Sequence, residues 1–175
     1  ITRGDFDADL KTWGEAARDF ATPLIVEWGT EMNGYWFAWN AKWNAHKEGA
    51  EHFRQAYRHI VETINAPNVT WVFHVNADDD PLQPWNRLEH YYPGDDVVDW
   101  LGVSVYGAQT PQDDYWTNPV EQLDAVIPRL ENLADKPIFL LEFGATTNSP
   151  LGSASDWADS LLTTLLGDRW PSLKG

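Results

Sequence analysis

Two glutamates, Glu31 and Glu142, each follow a short apolar run and sit among aromatic residues. Cleavage of a glycosidic bond needs one carboxylic acid to protonate the leaving oxygen. It also needs a second carboxylate to attack the anomeric carbon or to activate water. Glu31 and Glu142 could supply that pair. The stretch after Glu31 holds Tyr35, Trp36, Phe37 and Trp39, and Tyr106 closes another apolar run. Flat apolar ring faces of this kind suit sugar rings. A lone glutamate at such a position is more often a solvated rim charge, and a single Trp more often packs in a core. It is the pair set among Trp36, Trp39 and Tyr106 that favours the catalytic reading. His74 and Asn76 end a further apolar run and are candidates for sugar contact. Glu27, near the first glutamate, either raises a neighbouring carboxyl pKa by like charge or pairs with a surface Lys or Arg.

These residues have to be delivered by regular elements. Leu24 to Trp28, Val69 to Val75, Trp100 to Tyr106 and Pro137 to Phe143 are compact apolar runs, as in strands covered on both faces. Leu10 to Phe20 has helical spacing with Asp7 ahead as a cap, and Gly49 to Ile64 is amphipathic. Val120 to Leu133 is a helix capped by Asn118 with Pro119 at its first position, and Pro128 predicts a kink or early break. Ser155 to Leu166 is the last helix, capped by Ser153 or Ser155 and ended by Gly167. Strands alternating with helices imply a parallel sheet with covering helices. Ligands of such folds gather where the strands end. The polar and aromatic residues follow the apolar runs in that way. Asn76 to Asp99 lacks a long helix, and loops of that length are functional or contain a short one. The chain reads as one domain over 1–175, without repeat or linker.

A formal charge of -15 with only 12 Lys and Arg argues against nucleic acid, whose binding rests on cations displacing counterions. An aromatic share of 14%, with 11 Trp, fits a neutral carbohydrate instead. No apolar run approaches the roughly 20 residues of a membrane span. With no Cys, disulfides and thiolate chemistry are excluded. Asp78, Asp79, Asp80, Asp95 and Asp96 offer oxygen ligands for Ca2+ but lack the spacing of an EF-hand loop. The five His residues give no zinc set, so no metal and no cofactor is expected. His52, His59 and His90 are read as solvated.

The string from Glu31 to Phe37, the Tyr92-to-Tyr106 stretch with Pro93, Gly94, Asp95 and Asp96, and Leu141 to Gly144 resemble glycoside hydrolase family 26, best known for β-mannanases. The resemblance covers about Lys11 to Thr146. It implies a (β/α)8 TIM barrel, here a partial barrel of strands four to seven, since 175 residues fall short of the roughly 250 of a full one. Strands one to three and eight would be absent, leaving two bare sheet edges and a poorly stable fragment. It further implies retaining, endo-acting cleavage, with Glu31 as acid/base and Glu142 as nucleophile. Trp36 would lie against the sugar, and Tyr106 would hydrogen-bond the nucleophile. The substrate implied first is β-1,4-mannan, followed by mixed-linkage β-glucan or β-1,3-xylan, and the location a secreted or periplasmic one. Family members usually carry His and Arg where this chain has Thr30 and Glu27. That departure also supports a second class of reading, a carbohydrate-binding homologue that no longer cleaves.

Overall fold

A computed structural model describes residues 1–175. Four parallel strands, β1 (Leu24–Glu27), β2 (Val69–Asn76), β3 (Trp100–Tyr106) and β4 (Ile138–Gly144), pair in sequence order. Helices α1 (Asp7–Phe20), α2 (Gly49–Ile64), α3 (Pro119–Leu133) and α4 (Ala154–Leu166) accompany them. Parallel strands require crossover connections, which put helices on a sheet face. In-order pairing of every strand is the topology of half a (β/α)8 barrel.

Strand side chains alternate between the two faces. Phe73, Val75, Leu101, Val103 and Val105 face the helices and form one buried cluster with Phe53 and Tyr57 of α2, Leu123 and Ile127 of α3 and Leu161 of α4. Each such side chain contributes about 1.5–3 kcal/mol by leaving water. The alternate set, including His74, Ser104 and Tyr106, faces the inside of the curve. The β3–β4 register slips by one residue: Val103 pairs with Leu140, and Ser104 with Glu142. Leu141 is thus a bulge residue. The bulge aims Glu142 to the inner face, as bulges beside sites commonly do. Gly102 makes room for it, because a Cβ there would lie 2.4 Å from Leu141 Cδ1.

Several details depart from expectation. β1 is not covered on both faces: Ile25 is 61% exposed, because β1 has a neighbour on one side alone and its inner face is open. Phe6, not Asp7, stands at the N-cap of α1, and Asp7 instead bonds His59 Nε2 at 2.6 Å, so that His59 is a partner of α1 rather than solvated. Pro128 does not break α3, whose buried Leu123, Val126, Ile127 and Leu130 hold it to the sheet. Ser153 rather than Ser155 caps α4 through the Asp156 amide. The long loop after β2 contains two short 3-10 turns, Pro84–Asn86 and Leu88–Tyr91. The outer edge of β4 is not bare. Ile138 pairs in parallel with Leu173, and the Leu140 amide donates to the Gly175 carbonyl at 2.7 Å.

Candidate active site

Glu31 stands in the turn after β1 at φ 48°, a left-handed conformation uncommon for residues other than glycine. Holding it there costs on the order of 1 kcal/mol or more. The surroundings impose it. The Glu31 amide donates to the His74 carbonyl (2.9 Å), and the Gly34 amide donates back to the Glu31 carbonyl (2.8 Å). Two residues on, the fully buried Asn33 donates to the carbonyls of Asn76 and Asp78 and to Asp79 Oδ1, and its own Oδ1 accepts from the Asn76 amide. Asn86, also fully buried, donates to the Asn33 and Pro81 carbonyls. Asn40 donates to Met32 and Asn86, and the Tyr91 hydroxyl donates to Asn86 Oδ1. Buried amides with every bond made fix one backbone path. The first catalytic candidate is therefore set by main-chain geometry. The residue is 7% exposed, and its carboxylate accepts a hydrogen bond from Trp36 Nε1 at 2.8 Å. The Trp36 indole lies over Gly34, where a Cβ would come within 2.2 Å of the ring.

Glu142 is delivered by the β4 bulge and accepts a hydrogen bond from the Tyr106 hydroxyl at 2.5 Å. Burial, then Glu142 and more distantly Glu31, push the Tyr106 phenol well above its ordinary value. It stays a donor across the working pH range. Glu31, Trp36, Asn76, Tyr106 and Glu142 all line one cleft of ≈ 990 Å³ at the C-terminal ends of the strands. Tyr35 and Phe37 after β1, Asp78 and Asp80 after β2, Gln109, Tyr115 and Thr117 after β3, Gln122 of α3 and Gly144 to Thr146 complete it. Its charged lining is entirely acidic, and no Lys or Arg is among the lining residues.

Three predicted residues, His74, Glu27 and Trp39, are not among those lining the cleft. His74 is 1% exposed, with Nδ1 against Glu27 and against Thr30 Oγ1 (2.7 Å), and Nε2 2.6 Å from Ser104 Oγ. Glu27 pairs with His74 rather than with Lys or Arg, and ligand atoms of Glu27, His74 and Glu142 all lie within 4.8 Å of one another. Both imidazole nitrogens have hydrogen-bond partners in the protein. Carboxylate, imidazole and hydroxyl follow one another as in a serine hydrolase, but Ser104 is fully buried and can meet no substrate. Trp39 turns away from the cleft, donating to the Thr30 carbonyl (2.8 Å) and stacking on Phe37 with ring centres 4.4 Å apart.

The five aspartates considered for Ca2+ do not converge. Asp79 turns inward to Arg129 and Asn33, Asp95 accepts from the Tyr92 hydroxyl, and Asp96 pairs with Arg58. Ser104 carries a signal in the sequence, since it stands two residues before Tyr106 on one strand and hence on its face. Gln122, which projects from a helix, carries no such signal.

The sequence pattern of glycosyl hydrolase family 26 matches residues 8–143. A β-1,3-xylanase of Vibrio sp is 32% identical over 81% of the chain and 28% of its own length. Endoglucanase H of Acetivibrio thermocellus is 29% identical over 83% of the chain and 16% of its own length. A mannan endo-1,4-β-mannosidase of Bacillus subtilis is 30% identical over 43% of the chain. The chain thus spans less than a third of these relatives. The solved catalytic domain of an endo-β-1,4-mannanase from Bacillus sp. JAMB-750 superposes with a TM-score of 0.71 at 23% identity, over 97% of the chain and 46% of that domain. A Cellulomonas fimi endo-β-1,4-mannanase gives 0.67 at 23% identity, over 99% and 39%. These superpositions show the shared fold, of which this chain is about half.

Proposed function

Because the chain belongs to glycosyl hydrolase family 26, we propose that it carries the catalytic pair of a retaining, endo-acting glycosidase that cleaves β-linked polysaccharide by double displacement. The observation that carries this reading is the convergence of Glu31 and Glu142 on one cleft, each hydrogen-bonded to an aromatic side chain. Glu142 attacks the anomeric carbon and forms a glycosyl ester. Glu31 protonates the departing oxygen, then as a carboxylate activates the water that hydrolyses the ester. The Trp36 indole N–H orients the Glu31 carboxyl, and the Tyr106 hydroxyl holds the attacking oxygens of Glu142 in place. Asn76 and the open ring of Trp36 meet the sugar, whereas the buried His74 and the half-buried Trp39 act through the residues in front of them and the exposed Glu27 through its pairing with His74.

β-1,4-Mannan is the first candidate substrate, supported by the Bacillus subtilis relative. β-1,3-Xylan is the second, supported by two β-1,3-xylanases that align with 81% of the chain. Such polymers lie outside cells, and a secreted or periplasmic location belongs to the same proposal. The test is to incubate the protein with mannan, β-1,3-xylan and mixed-linkage β-glucan and to follow the first-formed anomer by proton NMR. Retention of the β configuration is expected. First formation of the α anomer overturns double displacement, and binding of a polymer without any release of reducing ends favours a lectin-like homologue.

A further inference from the structure

A strip of open aromatic rings runs out of the cleft. Trp36 is 46%, Tyr35 41% and Trp43 58% exposed. Tyr35 and Trp36 line the cleft with ring centres 6.0 Å apart. Trp43 lies beyond its rim but continues the strip: its Nε1–H donates to the Tyr35 carbonyl at 2.7 Å. The Lys42 ammonium sits 4.3 Å from the Tyr35 ring centre and 4.9 Å from that of Trp43.

An indole left in water forgoes stabilisation that burial would provide, yet Trp43 is anchored to a capped turn. It ends the 3-10 turn Ala41–Trp43, which Asn40 caps by accepting from the Lys42 amide at 2.8 Å. Asn40 is itself fully buried and bonded to Met32 and Asn86, in the network that holds Glu31. A ring tied at its edge by a hydrogen bond, with Lys42 over one face and 58% of the residue still exposed, is a preorganised platform that gives up little entropy on binding.

We propose that Trp43, beyond the rim of the catalytic cleft beside Tyr35, forms a sugar-binding subsite where a further unit of the same β-linked polysaccharide stacks. The proposal rests on the glycosidase reading of the cleft. Continuity with Trp36, which bonds Glu31, selects the polysaccharide itself over an unrelated partner. The acidic lining of the adjoining cleft selects a neutral chain over an anionic one.

The test compares the full chain with its Trp43→Ala and Trp43→Phe variants on β-1,4-mannan, β-1,3-xylan and mixed-linkage β-glucan. A 4-nitrophenyl disaccharide of whichever backbone the wild type cleaves serves as the short probe. The expected result for Trp43→Ala is a KM on polymer raised about three- to tenfold. Polymer kcat and the kinetics on the disaccharide stay within about twofold, and Trp43→Phe recovers most of the loss. An unchanged KM on polymer, or an equal loss on the disaccharide, overturns the subsite alone. A wild type that neither cleaves nor binds any of the three polymers overturns the glycosidase reading, and this subsite with it.

Discussion

Glu31 and Glu142 face one cleft but are held by opposite means. The loop of Glu31 is pinned by buried amides that tie the β1 and β2 loops into one body, and the residue itself is 7% exposed. Glu142 stands on a strand bulge, half-buried, with a single hydroxyl partner and with Phe143 beside it 46% exposed. The two roles proposed for them account for the difference. An acid/base must present its proton along a fixed line to a departing oxygen and later to water, and a misplacement of about 1 Å costs about a hundredfold in rate. A nucleophile forms a bond, and a sheet strand with one orienting hydrogen bond suffices to aim it.

That contrast can be broken by substitution. Glu142→Ala should lower kcat on polymer by about four orders of magnitude or more, with chemical denaturation unchanged within about 1 kcal/mol, since the side chain serves chemistry rather than packing. Asn33→Ala should do the reverse. It strips a partner from four part-buried polar groups of Asn76, Asp78 and Asp79 and should cost about 2–4 kcal/mol in denaturant unfolding, with activity falling as a consequence. Should Asn33→Ala unfold like the wild type, the pinning of Glu31 by that network is wrong. Tyr106→Phe sharpens the other half. Losing one charge-oriented donor should reduce kcat about ten- to a hundredfold while KM barely moves.

The smallest effect concerns acid. Burial opposes ionisation of Glu89, yet hydrogen bonds from Arg129 and then Arg87 outweigh it and hold its carboxyl at about 2, below the ordinary 4.5. Because the folded value lies below the unfolded one, this group stabilises the fold above pH 4.5, and the contribution fades as pH falls towards 2. Arg129 also holds Asp79, the partner of Asn33, so this ion pair ties α3 to the frame of Glu31. Urea midpoints measured between pH 6 and 3 should fall less steeply for Glu89→Gln than for the wild type; parallel curves would contradict this.

The strands were legible because apolar runs of β-branched and aromatic residues have few other homes, and the two glutamates because each follows such a run. The bulge at Leu141 was not, since a slip of one residue depends on what Gly102 leaves open across the sheet. The partner of Glu27 was equally hidden. It pairs with a histidine two residues from the end of the neighbouring strand, a contact created by strand register. Asn33, Asn40 and Asn86 read as ordinary loop residues, and only their mutual hydrogen bonds reveal them as the frame of the site. Pro128 does not end α3 early, because tertiary burial of one helix face outweighs the loss of a single main-chain donor.

The central claim, that Glu142 attacks the sugar while Glu31 serves as acid/base, is tested most directly by trapping. A 2-deoxy-2-fluoro glycoside with a good leaving group slows hydrolysis of the glycosyl ester, and mass spectrometry of the digested protein then locates the label. The label is predicted on the peptide carrying Glu142. A label on Glu31 or Glu27, or turnover with no covalent adduct at all, would contradict the account.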